Sequence, residues 1–264
     1  MRVHLVIAFL LVAPFAHGAQ VSSANLIAIG QGISSPTSTS TVNYTSGYTS
    51  ESPLGTIYQN GGRFTAEYDR NDNSDAIGAE LGYGTGTWGV AGGYRKPNCN
   101  GCNGTAAGDL GITAGDFGFG IRFAENLYAA ALLFNPHGTH RFGVMGELNE
   151  ASDLASKLTA YGVGYSYVAS QFTVTIDASG RTYKDGTVND NRMVVTPGFM
   201  IRADIVQLTV NDRITLNRDK NNSAQMSDDE HDFWFGVGIG GDAWHLAVYS
   251  HYVNKIAVAG SLFF

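Results

Sequence analysis

Side chains of two chemical types alternate through most of this chain, from Phe64 to its last residue, Phe264. Apolar or aromatic residues stand at every second position, with glycine, threonine, serine or charged residues between them. Successive side chains of a β-strand point to opposite faces, so this period of two predicts strands with one apolar and one polar face. The alternating segments are Phe64–Tyr68, Ile77–Tyr83, Trp88–Tyr94, Phe117–Phe123, Tyr161–Tyr167, Phe172–Ile176, Val206–Val210, Phe233–Ile239, Trp244–Val248 and Ile256–Phe264.

The composition agrees with many strands joined by turns. The chain has 34 glycines, 11% aromatic residues, 15% charged residues and only 6 prolines among 264 residues. Beyond residue 18 no apolar run approaches the ~18 residues that a membrane-spanning helix needs. If the chain lies in a membrane it must therefore do so as a closed barrel, because only helices and barrels satisfy every backbone group in lipid. The net charge of −7 argues against nucleic acid as a partner, because its phosphates would be repelled.

Short and long connections alternate between the predicted strands. Five short turns and six longer loops join about twelve strands, with 10 to 14 as the range. The turns are 84–86, 124–126, 169–171, 203–204 and 241–242, and the loops are 70–74, 96–108, 135–156, 184–191, 217–230 and 251–254. This pattern is typical of outer-membrane barrels, which have short periplasmic turns and longer external loops. We therefore predict an all-β, closed antiparallel up-and-down transmembrane β-barrel that is a monomer.

The amino terminus predicts export. Arg2 precedes an apolar run from Leu5 to Ala16, and Ala16-His17-Gly18 offers small residues for cleavage, as in a secretory signal peptide. We divide the chain into a signal peptide (1–18), an amino-terminal segment (19–62) and the barrel (63–264). The segment 19–62 is rich in serine and threonine without a sustained period, and is interpreted as either a disordered leader or a plug in the lumen.

The carboxyl terminus resembles the last strand of bacterial outer-membrane barrels. Gly260, Leu262 and Phe264 alternate with other residues, and the chain stops at the aromatic ring. The resemblance implies a bacterial outer-membrane location in a Gram-negative cell. It also implies contact with lipid and lipopolysaccharide, and recognition of these three residues by the barrel-insertion machinery.

Four segments fit the pattern poorly. Pro197 cannot donate to a ladder and predicts a kink or bulge, or else a strand break. A change of phase suggests a bulge near Gly115-Asp116, the run 127–134 is apolar on both faces, and 149–160 is compatible with a short helix.

The segment 19–62, the Pro197 kink and the sequence Tyr161-Gly-Val-Gly-Tyr-Ser-Tyr167 resemble the long-chain fatty-acid transporter (FadL-like) family. That resemblance implies an amino-terminal hatch, a kinked strand that opens the wall, and a hydrophobic solute. The chain departs from the family because 19–62 lacks the Asn-Pro-Ala-Gly motif, and Asn135-Pro136-His137-Gly138 is only a partial match.

Cys99 and Cys102 lie in a predicted external loop, where a disulfide that pins the loop is the preferred interpretation. With His137 and His140 they could in principle bind zinc, although the histidine spacing is short and the disulfide competes. Residues 219–230 partly match a calcium-loop spacing but lack its glycine, so a solvated acidic loop is preferred. We predict no metal site.

No catalytic residue and no cofactor is predicted. Ser250-His251 is the best nucleophile and base pair, but the sequence places no orienting acid beside it. Gly84-Thr-Gly86-Thr-Trp-Gly89 matches a dinucleotide motif in letters only, since no helix follows it.

Charged residues on the polar faces are the remaining candidates for function. An arginine facing the middle of the bilayer would cost ~2–4 kcal/mol, so these residues are expected in the lumen. They would either pair with one another or line a solute path: Glu67, Glu80, Arg95, Arg122, Asp177, Arg192, Arg202 and Arg213. We expect a passive channel, transporter or binder for a small solute. The alternatives are a structural or surface-interaction protein with a filled lumen and, with less support, a barrel-embedded hydrolase.

Overall fold

A computed structural model describes residues 60–71, 74–98, 103–124, 127–150, 156–185, 188–221, 231–241, 243–251 and 255–264. The predicted signal peptide (1–18) and nearly all of the segment 19–62 lie outside these residues. In the described ranges no helix is long and apolar enough to cross a membrane.

Every element of the described part is a β-strand. The strands are β1 (Asn60–Asn71), β2 (Ser74–Thr85), β3 (Trp88–Asn98), β4 (Thr105–Ala114), β5 (Phe117–Ala124), β6 (Leu127–Phe134), β7 (His140–Glu150), β8 (Ser156–Val168), β9 (Phe172–Asp185), β10 (Val188–Ala203), β11 (Val206–Asn221), β12 (His231–Gly240), β13 (Trp244–His251) and β14 (Lys255–Phe263).

The strands form one closed antiparallel barrel. Each pairs with its neighbours in the chain, and β1 closes the ring by pairing with β14, from Arg63↔Phe263 to Arg70↔Ile256. A closed ring has no edge strand whose backbone groups would be left unpaired. The predicted all-β, closed antiparallel barrel is confirmed, and the strand count is corrected from about twelve to fourteen.

Two strands were missed in the sequence. Gly115 and Asp116 form a turn, in which Gly115 adopts a φ of 58°, so the predicted bulge is the tip of the β4–β5 hairpin. The predicted loop 135–156 contains all of β7, which pairs with both β6 and β8. The helix suggested for 149–160 is wrong where the chain is described, because β7 extends to Glu150 and β8 begins at Ser156.

The register fixes which face each side chain takes. Phe64, Ile77, Trp88 and Phe117 are exposed on the outside, as the alternation predicts. The side chains at the alternate positions of the same strands point to the inside. In β6, which the sequence left undecided, the exposed set is Tyr128, Ala130, Leu132 and Phe134.

The barrel has two ends. We call the end that holds Asn60 and Phe264 the terminal end, and the opposite end the distal end. Because the strands are antiparallel, the connection after β5 lies at the distal end and the one after β6 at the terminal end. The sequence pattern put 124–126 in a short turn at the end of the termini and 135–139 in a loop at the opposite end. The strand order reverses both assignments.

Pro197 lies inside β10 without breaking it. The pairing with β9 runs unbroken through Pro197↔Ile176, so the strand-break alternative is wrong. The pairing with β11 shifts register between Met193 and Val194, and it skips Thr196 and Pro197. The irregularity is confined to one side of the strand, as expected for a residue that lacks an N–H donor.

Candidate functional site

Aromatic side chains form two rings on the outside of the barrel. One ring follows the terminal end: Tyr83, Trp88, Phe117, Phe134, Phe142, Tyr165, Tyr167, Phe172, Phe199, Trp244 and Phe264. The other lies toward the distal end: Tyr68, Tyr94, Phe123, Tyr128, Tyr161 and Phe233. Between them the outer surface is apolar and mostly aliphatic, with Leu81, Leu132 and Val163 exposed, and it also carries Phe64, Phe119 and Phe235. An apolar band between two aromatic rings has the form that a bilayer requires of a barrel wall.

The terminal ring is continuous over several strands. The centroids of the Phe142 and Tyr165 side-chain rings are 5.0 Å apart. The corresponding distance is 5.7 Å between Tyr167 and Phe172, and 6.5 Å between Phe172 and Phe199. His140 joins this group through a 2.7 Å hydrogen bond between its Nδ1 and the Tyr165 hydroxyl. These contacts hold aromatic side chains side by side at one level of the outer wall.

The inner face is more polar than the outer one, although it also buries apolar side chains such as Leu133, Met145 and Met200. Its buried polar side chains are Arg63, Thr65, Asp109, Arg122, Glu147, Ser166, Thr173, Thr175, Asp177, Thr196, Gln207, Thr209, Asn211, His245 and Ser261. Burial of this many polar groups is tolerable only if most of them find partners.

Four charges pair on the inner wall of β1, β2, β4 and β5. Arg122 forms a bidentate pair with Asp109, with Nε–Oδ1 at 2.7 Å and Nη2–Oδ2 at 2.8 Å. Arg63 donates to Glu80 Oε1, and Arg63 is only 1% exposed. Glu80 and Arg122 were predicted as lumen residues, whereas their partners Arg63 and Asp109 were not.

Small residues on β3 leave room for this charge cluster. Ala91 and Gly93 lie on the inner face of β3, between β2 and β4. Ala91 pairs with Gly82 of β2 and with Asp109 of β4, and Gly93 pairs with Glu80 of β2. A Cβ at Gly93 would lie 3.4 Å from the Glu80 Cβ. The alternation of faces also predicts that Arg63 and Asp109 point inward, because each stands next to an outward residue, Phe64 and Leu110 respectively.

The other predicted lumen residues are spread around the ring. Asp177 is buried on the inner face of β9, opposite Thr196 of β10. The remaining five lie in strands, but their side chains fall outside the described part: Glu67 in β1, Arg95 in β3, Arg192 and Arg202 in β10, and Arg213 in β11. Cys99 and Cys102 also lie outside the described residues, so the disulfide stays a prediction.

The two cysteines and two histidines considered for zinc follow strand ends at opposite ends of the barrel. The connection that holds both cysteines follows β3 at the distal end, whereas His137 and His140 lie at the terminal end. Among the residues that the structure describes, no three histidine, cysteine, aspartate or glutamate side chains are grouped to hold a metal. Most of the calcium-like loop, residues 222–230, lies outside the described ranges.

Ser250 faces the outside wall and not the lumen. Its cross-strand neighbours are Phe235 and Ile256, and neither supplies the acid that a catalytic triad needs.

The residues of the predicted insertion signal lie on the closing strand. Leu262 and Phe264 are exposed on the outer face of β14, and Gly260 lies on the same face opposite Ala66 and Leu246. Gly62 and Phe264 exchange backbone hydrogen bonds of 2.6 and 3.0 Å, which complete the seam.

Comparison with known proteins finds likeness in structure alone. No family model matches the chain, and no curated protein matches it. The outer-membrane-expressed OmpT of Vibrio cholerae is similar over 77% of this chain and 96% of its own, at 7% identity and a TM-score of 0.48. The KdgM porin is similar over 76% and 99%, at 7% identity and a TM-score of 0.44. A mutant of the Rh. blastica porin is similar over 77% and 98%, at 10% identity and a TM-score of 0.36. These neighbours are barrels, and the resemblance to the fatty-acid transporter family is not shown by them.

Proposed function

We propose that this protein is a bacterial outer-membrane barrel that passes or binds a small polar solute. The observation that carries the proposal is the sorting of its wall, with an apolar band between aromatic rings outside and paired charges, amides and hydroxyls inside. A soluble barrel would have no reason to expose Leu81, Leu132 and Val163 together at mid-height.

The proposal includes an orientation and a route. A signal peptide over 1–18 exports the chain, the insertion machinery reads Gly260, Leu262 and Phe264, and the terminal end faces the periplasm. The barrel is a monomer in lipid and lipopolysaccharide and is not an enzyme. The buried inner face carries more polar side chains than apolar ones such as Leu133 and Met200, which supports a polar solute. This solute differs from the hydrophobic one that the fatty-acid transporter resemblance implied.

A second candidate, a structural or surface-interaction barrel with a filled lumen, is favoured by one observation. Inner side chains such as Arg63, Ser166 and Gln207 are at most 1% exposed, whereas the wall of a wide water-filled pore would be wet. The same burial argues against a large general pore under either function.

Two measurements test the proposal. Full-length protein expressed in a Gram-negative host should fractionate with outer membranes, and its unboiled form should migrate differently from its boiled form on a gel. Reconstituted protein should support swelling of liposomes in isotonic small-solute solutions and give small, discrete conductance steps in planar bilayers. Processed protein in the periplasmic extract would overturn the location. Silence in both transport assays would overturn the channel and leave the filled-lumen function.

A further inference from the structure

One strip of the inner wall carries no side chains. On β12 the inward positions Gly236 and Gly238 are buried glycines. At Gly240, the next inward position, the His245 residue fills the place that a Cβ would take. Gly236 and Gly238 bring no side chain to the inner face, and we call this strip the glycine furrow.

Polar groups without partners stand on one rim of the glycine furrow. Thr209 and Gln207 of β11 pair in register with Gly236 and Gly238, and both side chains are 1% exposed. The Gln207 amide nitrogen donates to the sulfur of Met200, but the Gln207 Oε1 and Thr209 Oγ1 atoms have no partner among the described residues.

The other rim holds His245 of β13, which pairs with Gly240 and is 2% exposed. Neither His245 Nδ1 nor His245 Nε2 has a hydrogen-bond partner among the described residues. Buried polar atoms almost always find partners in native proteins, so the unsatisfied atoms of Gln207, Thr209 and His245 leave hydrogen-bonding capacity for a ligand or for water at this furrow.

We propose that the glycine furrow binds a neutral, polyhydroxylated solute, such as a sugar or polyol, and this inference rests on the proposed function. A hydroxyl both donates and accepts, and so do a threonine hydroxyl and a neutral imidazole, while the glutamine oxygen accepts. The described rim side chains carry no full charge, so a charged solute would be buried there without compensation.

The His245 ring bounds the furrow toward the terminal end, because its Cδ2 would lie 2.9 Å from a Cβ at Gly240. Gly241 is exposed just beyond Gly240, and its N–H donates to the Trp244 carbonyl at 2.9 Å, which turns the chain into β13.

Arg202 lies beside the furrow and could favour an anionic solute, so the test compares a neutral probe with an anionic one. It pairs in register with Gln207, and its side chain lies outside the described part. Glucose and gluconate have nearly the same size and differ in charge, so they separate a neutral site from an anion site.

The test measures binding and flux separately on full-length protein. Saturation-transfer NMR in detergent micelles reports glucose and gluconate binding, and liposome swelling reports their passage. Thr209→Val is almost isosteric and removes one hydroxyl, and we expect it to weaken glucose binding about five- to tenfold. Gly238→Leu fills the furrow and should abolish binding. Thr113→Val is the matched control, because Thr113 donates to the Thr87 carbonyl on the distant β4 wall and should leave binding unchanged.

Each outcome decides the inference. Glucose binding that is weakened in Thr209→Val and unchanged in Thr113→Val supports the furrow. This holds even if no solute crosses the membrane, in which case only the channel function fails. Equal binding by all folded variants, preference for gluconate, or absence of glucose binding overturns the furrow while a swelling response keeps the channel. Should Gly238→Leu fail to give the heat-shifted folded band, Thr209→Val decides alone.

Discussion

The last residue, Phe264, lies against Gly62 and closes the barrel. The two residues exchange backbone hydrogen bonds, and a Cβ built on Gly62 would run into the Phe264 ring. Gly61, with a φ of 100°, brings the chain into this position, and a Cβ there would lie 2.7 Å from the Phe264 carbonyl oxygen. The seam between the first and last strands therefore depends on glycine facing an aromatic ring.

Replacing Gly62 with valine should weaken the closed barrel. The new side chain must displace the Phe264 ring, and overpacking of this kind costs about 1–3 kcal/mol. Urea unfolding in lipid vesicles, followed by the unboiled gel shift, measures the free energy. Gly146→Val is the control, because a Cβ at Gly146 has nothing within 4 Å. A Gly62→Val/Phe264→Ala double variant should recover part of the loss, and strict additivity would contradict the contact.

Removal of one partner from the Asp109–Arg122 pair should be strongly destabilising. Arg122→Met leaves the Asp109 carboxylate buried without its bidentate donor, which costs about 3–5 kcal/mol in such pairs. The same unfolding assay measures it. A double Asp109→Leu/Arg122→Met variant should be closer to the wild type than either single variant. Two single variants with wild-type stability would show that the pair contributes nothing to the fold.

The outer face of β6 can be tested at Leu132. This side chain points outward between the two aromatic rings, so Leu132→Arg should cost about 2–4 kcal/mol in a bilayer. Leu132→Met keeps the position apolar and should change stability little. Unfolding in vesicles of defined thickness separates the two variants, and an arginine tolerated as well as methionine would place Leu132 outside the apolar band.

The β6–β7 turn depends on Asn135. Asn135 has a φ of 55°, and its side-chain nitrogen donates to the His140 carbonyl at 2.8 Å. A β-branched residue adopts positive φ only with strain, so Asn135→Val should lose about 1–3 kcal/mol. Asn135→Gly keeps the conformation and loses the side-chain bond alone, about 1 kcal/mol. If valine is tolerated better than glycine, the turn does not have this conformation.

The sequence predicted the strands wherever the alternation was clean. Phe64–Tyr68, Ile77–Tyr83 and Phe117–Phe123 take the predicted face because a one-residue slip would turn every apolar side chain inward. Leu127–Phe134 has no such asymmetry, so its face is set by pairing with β5 and β7.

The candidate site was predicted only in part. Glu80 and Arg122 were recognised because a charge in an apolar strand is conspicuous, whereas Arg63 and Asp109 became candidates only once the register placed them beside these residues. Gln207 and His245 gave no local signal, since their relation depends on Gly238 and Gly240 of the strand between them.

By itself, the order of residues determined the class of fold. A period of two, few charges and many glycines favour an antiparallel sheet with one apolar face. The number of strands, the end at which each connection lies and the pairing of inner charges were decided by the tertiary structure. The physical reason is that hydrogen bonds between strands join residues far apart in the chain, as Gly62 and Phe264 are, and only closure of the ring determines which residues meet.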